Sequence, residues 1–131
     1  KGSDVIIHAG DIGPRQVLDE LRTIAPTFAV RGNNDTEVWA AELPEREIVA
    51  AGERQICVLH QIGHLFREPL PTGCAAVVFG HTHKPSVETS KGVLYINPGS
   101  AGPRRFKLPV TVGRLWVTRD GLRPEILELD A

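Results

Sequence analysis

Four short apolar runs in this chain each end on a side chain able to bind a metal: Val5–Ala9 before Asp11, Phe28–Arg31 before Asn33, Ile56–Leu59 before His60, and Ala75–Gly80 before His81. Open α/β sheets gather their ligands just beyond the carboxyl ends of the strands, so residues this far apart in sequence can converge on one point. The pattern therefore constrains fold and site together.

Val5–Ala9 is a continuous β-rich run, which predicts a central strand covered on both faces. After Asp11-Ile12-Gly13, Pro14 stands at a favoured first helical position. Val17, Leu18, Leu21 and Ile24 follow at helical spacing and predict a helix over 14–24 packed on the sheet. Pro26 stops that helix, and Thr27–Arg31 reads as the second strand of a right-handed strand-helix-strand unit. Arg46–Ala50 and Arg54–Leu59 flank Ala51-Gly52 as a hairpin. Residues 61–73, with Gly63, Pro69, Pro71 and Gly73, read as a loop with at most a helical turn. Ala75–Phe79 is a further buried strand. Val87–Thr89 with Val93–Ile96 and Val110–Thr118 with Leu122–Leu129 predict two more hairpins, around Ser90-Lys91-Gly92 and Asp120-Gly121. Parallel units early and hairpins late imply an α/β sandwich: two packed mixed β-sheets flanked by helices.

A length of 131 residues suits a single domain, residues 1–131. Fifteen Lys and Arg against 16 Asp and Glu give a net charge of −1, which supplies no field for general attraction to nucleic acid or an anionic membrane. An anionic substrate must then be held by local groups. Cys57 and Cys74 are too few for a disulfide framework or a thiolate zinc site, and Cys57 reads as a buried, reduced thiol. No apolar stretch approaches the roughly 20 residues of a membrane span and no signal peptide opens the chain, so the cytoplasm is the expected location. The chain contains no Met and opens Lys1-Gly2-Ser3-Asp4 directly before a buried-type strand, the pattern of an interior cut.

His81-Thr82-His83 after Gly80 is the sharpest chemical signal. Two imidazoles two residues apart on a turn can point at neighbouring metals, and the glycine lets the backbone approach closely. His60, closing another buried strand, strengthens it. The carboxylate of Asp11 can bridge two cations, although by itself it would read as a helix N-cap. Asn33, in Gly32-Asn33-Asn34-Asp35, offers a neutral amide oxygen where a plain turn residue is the other reading. His8 reads as a core histidine or one that supports ligands, and His64 as a surface imidazole. Asn97-Pro98-Gly99-Ser100 has the chemistry of a tight turn, whose amides either cradle a phosphate or serve the fold alone. Arg104, Arg105 and Lys107 form the basic cluster, either a phosphate clamp or solvated charge.

Taken in order, Ala9-Gly10-Asp11, Gly32-Asn33-Asn34-Asp35, His60, Gly80-His81-Thr82-His83 and Asn97-Pro98-Gly99-Ser100 resemble the motifs of the calcineurin-like metallophosphoesterase superfamily, most of all its small prokaryotic phosphodiesterase branch. The likeness continues through Gly102-Pro103-Arg104-Arg105-Phe106. It implies a two-metal site in which Asp11 bridges the ions, Asn33, His60 and His81 complete one shell, and His83 serves the other. Asp11, Asn33 and His60 are then the catalytic set, with Asn34, Arg104 and Arg105 on the substrate phosphate. Carboxylate, amide and imidazole donors without thiolates suit Mn, Fe, Zn, Co or Ni and single out none of them.

Two departures follow from the same resemblance. Members of the family open with a strand ending in Asp-x-His that supplies two further ligands to the second metal, and this chain has no such motif. The expectation is a member truncated at its N-terminus, lacking its first strand and helix, with an incomplete second metal site. Open strand edges would then favour pairing, so a homo-oligomer is among the expected partners. The second departure is Asn34, which stands where many relatives carry a general-acid histidine. Substrates with acidic leaving groups are favoured as a result.

The implied activity is hydrolysis of small phosphodiesters by attack of metal-activated water on phosphorus. The alternative is a catalytically impaired scaffold or binding module of the same fold, as in eukaryotic endosomal coat assembly. Retention of His60, His81 and His83 argues for the enzyme.

Overall fold

The computed structural model describes residues 4–10, 15–32, 35, 38–52, 54–63, 73–82, 84–99, 111–118 and 121–128. Strand β1 (Ile6–His8) leads into helix α1 (Arg15–Ile24) and strand β2 (Thr27–Ala29), and a 3₁₀ turn (Val38–Glu42) follows. Then come β3 (Arg46–Ala51), β4 (Arg54–Leu59), β5 (Cys74–Val78), β6 (Ser86–Ser90), β7 (Val93–Asn97), β8 (Thr111–Thr118) and β9 (Gly121–Glu128).

Five strands form the main sheet in the order β3-β4-β5-β7-β6. Its centre, β4-β5-β7, is parallel, and the antiparallel partners β3 and β6 close the two edges. Central parallel strands are covered on both faces, which explains why β4 and β5 are written with few polar residues: Cys57, Val58, Ala76 and Val77 are all buried. On one face Val49, Ile56, Val58, Ala76, Leu94 and Ile96 form the principal core with Val30. Ile7 and Ala9 from the β1 run and Leu115, Val117, Leu122 and Ile126 from the β8–β9 hairpin pack against that face. Cys57, Leu59, Cys74 and Val77 point to the other face, against Phe79, Val93 and Tyr95. The result is the α/β sandwich expected from the order of runs.

The three hairpins form where alternation and glycine turns predict them. Register runs from Arg46↔Leu59 to Ala51↔Arg54 in the first, Ser86↔Asn97 to Ser90↔Val93 in the second and Thr111↔Glu128 to Thr118↔Gly121 in the third. Both cysteines are free and buried, as read for Cys57. Burial, reinforced by the neighbouring Cys74, pushes the Cys57 thiol up from its ordinary range. Among the described residues no helix is long and apolar enough to cross a membrane.

The β1-α1-β2 unit differs from expectation in its covering. β1 and β2 pair in parallel, Ile6↔Thr27 to His8↔Ala29, so the strand-helix-strand reading holds. However, β1 was expected to lie at the centre of a sheet, and among the described residues it pairs with β2 alone. Ile6, Ile7 and His8 are half-buried, and Val5 is exposed. Two three-residue strands and a ten-residue helix enclose little area. Of the helical stripe, Leu18 is buried and packs with Ala29, Trp39 and Leu43, while Val17 and Ile24 face outward. The 3₁₀ turn carrying Trp39 has no counterpart in the sequence reading, because a single tight turn is too short to show a period.

Candidate functional site

Because β4 and β5 are parallel neighbours, their carboxyl ends lie side by side and deliver His60 and the Gly80-His81 turn to one place. The Gly80 amide donates to the His60 carbonyl at 2.9 Å and pins the two exits together. The His60 side chain is buried, with Nδ1 2.8 Å from the carbonyl oxygen of Ala9. A carbonyl only accepts, so Nδ1 carries the proton and donates, which leaves the Nε2 lone pair directed away from β1. His60 Nε2 lies 3.3 Å from His81 Nδ1, and the rings meet edge to face with centroids 5.2 Å apart.

Gly10 allows the β1 exit to reach this pair. Its φ is +103°, and a Cβ there would stand 2.6 Å from His60 Nδ1 and 2.9 Å from the Gly32 backbone. Any larger residue would push apart the ends of β1, β2 and β4. His8 Nδ1 accepts from the Gly10 amide at 3.2 Å, so this histidine supports the turn into the site. Beyond β2, Gly32 and Asp35 close a four-residue turn: the Gly32 amide donates to Asp35 Oδ2 at 2.8 Å, and the Asp35 amide to the Gly32 carbonyl at 3.2 Å. That buried carboxylate ties Asp35 back to the end of β2.

His81 has φ +74°, and the Thr82 amide donates to the Gly80 carbonyl at 3.0 Å. A bond between residues two apart around a positive φ defines a γ-turn of the rare, strained kind. Such backbone costs on the order of 1–3 kcal/mol for a side chain larger than glycine and persists when its surroundings over-determine it. Here the surroundings are Asn97, at the end of β7. Its Nδ2 donates to Thr82 Oγ1 at 3.0 Å and to the Gly80 carbonyl at 3.4 Å, while its Oδ1 accepts from the Gly99 amide at 2.9 Å. The sequence offers Asn97 within a tight-turn motif whose amides either cradle a phosphate or serve the fold, and gives no role to its side chain. The signal for that role is a polar side chain ending the apolar strand Val93–Asn97, where a buried amide must find partners.

The structure thus brings together His60 and His81. Asp11, Asn33, His83, Asn34, Arg104 and Arg105 lie outside the described residues, as do His64 and Lys107. Among the described residues no group of three or more His, Cys, Asp or Glu side chains is placed to hold a metal. The His60–His81 pair nevertheless has the chemistry of two ligands in one shell. His60 is held in the tautomer that leaves Nε2 unprotonated and accepting from His81 Nδ1–H, and the 3.3 Å separation suits two nitrogens each bound at about 2.0–2.1 Å to one zinc-sized cation once that proton is given up. A backbone carbonyl on the far ring nitrogen is the support that ligating histidines ordinarily have.

Comparison with known proteins gives the family of the chain. Residues 1–120 match the calcineurin-like phosphoesterase superfamily domain, and the chain belongs to that superfamily. It is 32% identical over 108 residues to a probable metallophosphoesterase of Methanocaldococcus jannaschii, an alignment covering 74% of this chain and 53% of that protein. The chain thus spans about half the length of that relative. It is also 32% identical over 137 residues to phosphodiesterase YfcE of Escherichia coli, covering 87% of this chain and 73% of the other, which places its kinship in the small prokaryotic branch. Among solved structures, Vps29 of Entamoeba histolytica superposes with a TM-score of 0.73 over 97% of this chain and 83% of its own at 19% identity, a likeness of fold alone.

Proposed function

We propose that the protein is a metal-dependent phosphoesterase of the cytoplasm that hydrolyses small phosphodiesters. The observation that carries this reading is the pairing of His60 Nε2 with His81 Nδ1 at the carboxyl ends of two parallel strands, in a chain of the phosphoesterase superfamily. His60 and His81 would hold one divalent cation together with Asp11 and Asn33, and Asp11 and His83 would face a second. When bound, such cations lower the pKa of a shared water, orient it toward phosphorus and neutralise phosphoryl charge.

The chain's own groups supply the rest. The Ala9 carbonyl accepts from His60 Nδ1–H, so Nε2 is the nitrogen left with a lone pair. Gly10 excludes side-chain bulk from the meeting point of three strand ends. Asn34 cannot deliver a proton to a leaving group, so esters with acidic alcohols should react fastest. Arg104 and Arg105 are assigned to the substrate phosphate, and their substitution by Ala should raise KM. The likeness to Vps29, at 19% identity, is one of fold and carries no role across to this chain.

The test is hydrolysis of an aryl phosphodiester with added Mn²⁺, in the wild-type protein and in His60→Gln. Activity that requires the cation and falls by upwards of roughly tenfold in His60→Gln is expected. A rate indifferent to the cation, or undiminished in the variant, would overturn the reading.

A further inference from the structure

The strained turn at His81 is held from outside its own strand. Asn97 belongs to β7, the parallel neighbour of β5, and its side chain is 1% exposed. Both amide hydrogens are engaged on the 80–82 turn, one on the Thr82 hydroxyl and one on the Gly80 carbonyl, while the amide oxygen takes the Gly99 amide. Thr82 Oγ1 also accepts from the Lys84 amide at 3.3 Å, so a single hydroxyl joins the Asn97 side chain to the segment leaving the turn. An extended backbone at His81 would break the Thr82-to-Gly80 bond and swing its imidazole away from His60.

We propose that Asn97, acting through Thr82, is a positioning residue that holds His81 in its γ-turn and so presents Nδ1, rather than Nε2, beside His60 Nε2 as a cation ligand. This rests on the metal-dependent reading of the site and deepens it. Nδ1 is adjacent to the backbone on the ring, so its placement follows the His81 main chain more tightly than that of the distal nitrogen would. The clamp therefore acts on affinity for the cation before any substrate binds.

The variants Thr82→Val and Thr82→Ser separate the hydroxyl from the shape of the residue. The exposed position of Thr82 leaves the core untouched in either case. Asn97→Asp removes the amide donors at nearly constant volume. Co²⁺ is titrated into each full chain, following its visible absorption for affinity and ligand field. Side-chain ¹H–¹⁵N correlation spectra report which ring nitrogen of His81 engages the ion, and thermal melts report folding.

Thr82→Val and Asn97→Asp should bind Co²⁺ ten- to a hundredfold more weakly with an altered spectrum. Thr82→Ser should match the wild type, and the melting temperature of Thr82→Val should stay within a few degrees of it. If Asn97→Asp fails to fold, the Thr82 pair decides alone. Equal affinity and spectra in Thr82→Val and wild type, equal losses in Thr82→Val and Thr82→Ser, or an ion on His81 Nε2 would overturn the clamp while leaving the metal reading intact. A wild-type chain that takes up no Co²⁺ would overturn the metal reading and the clamp with it.

Discussion

In the five-stranded sheet Cys57, Val58, Ala76 and Val77 are 0% exposed, whereas among the described residues of the β1-α1-β2 unit Ile24 stands 57% exposed and the buried apolar side chains are Leu18, Ala25, Ala29 and, just past β2, Val30. The site is assembled across this difference. His60, His81 and Asn97 stand on the well-enclosed sheet, while Gly10 and Gly32 come from the lighter unit. Among the described residues, ties between this unit and the sheet include the Ala9 carbonyl on His60, the Arg31 amide on the Pro44 carbonyl at 2.8 Å and the Arg31–Glu45 ion pair, beside the packing of Ile7, Ala9 and Val30 in the principal core. A rigid frame thus sets the two imidazoles, and a more loosely packed unit is brought to them. Regions with few buried apolar contacts open at lower free energy, so the two sides of the site should differ in local stability.

Truncations in the two cores give the largest test. Leu59→Ala, at 1% exposure in β4, should cost about 2–5 kcal/mol in urea unfolding. Leu18→Ala in α1 should fall at or below the low end, about 2 kcal/mol, because fewer buried neighbours surround it. Amide exchange in α1 should also be faster than in β4 and β5. Equal losses together with uniform exchange would show that the unit and the sheet form one cooperative body and would break the contrast.

Gly10→Ala probes the contact between the two regions. Its positive φ and the close approach to His60 predict a loss of about 1–3 kcal/mol by thermal melt. The imidazole resonances of His60 should shift as the bond to Ala9 is strained. A variant as stable as wild type with unchanged resonances would mean that the exits do not meet so tightly.

A smaller effect concerns the buried thiol on the sheet. Burial raises the Cys57 pKa, so the folded state holds this proton more tightly than the unfolded chain, whose thiols titrate near about 8.5. Between the two pKa values the folded state therefore binds more protons, and stability declines as pH rises. The contribution is fully present below the unfolded pKa. The denaturation midpoint should drop as pH rises past about 8.5, and Cys57→Val should flatten that drop. An identical slope in both proteins would remove Cys57 as its source.

The smallest effect is expected at the joint itself. Glu45 is largely exposed, so Glu45→Gln should change stability by less than about 0.5–1 kcal/mol, and the difference should vanish at high salt. A larger or salt-insensitive loss would make Arg31–Glu45 a principal tie and sharpen the account of how the unit is held.

Much of this was readable in advance where the signal is local. The three hairpins and α1 follow from alternation, glycine turns and helical spacing within single segments, and their ends fall within a few residues of the reading. The central place expected for β1 did not follow, because an apolar run reports that a strand seeks cover without saying what provides it. His60 and His81 were legible as residues closing buried strands. The contribution of Asn97 was not, since its partners come from a strand end 15 and 17 residues away.

By itself, the sequence determined which strands exist and that histidines stand at the ends of two of them, because periodicity and turn chemistry act between near neighbours in the chain. Tertiary structure alone decided the protonated nitrogen of His60, the γ-turn at His81, the need for glycine at position 10 and the clamp from Asn97. Each of these depends on a hydrogen bond or a close approach between segments far apart in sequence, and such contacts are specified only once the strands have found their order and register.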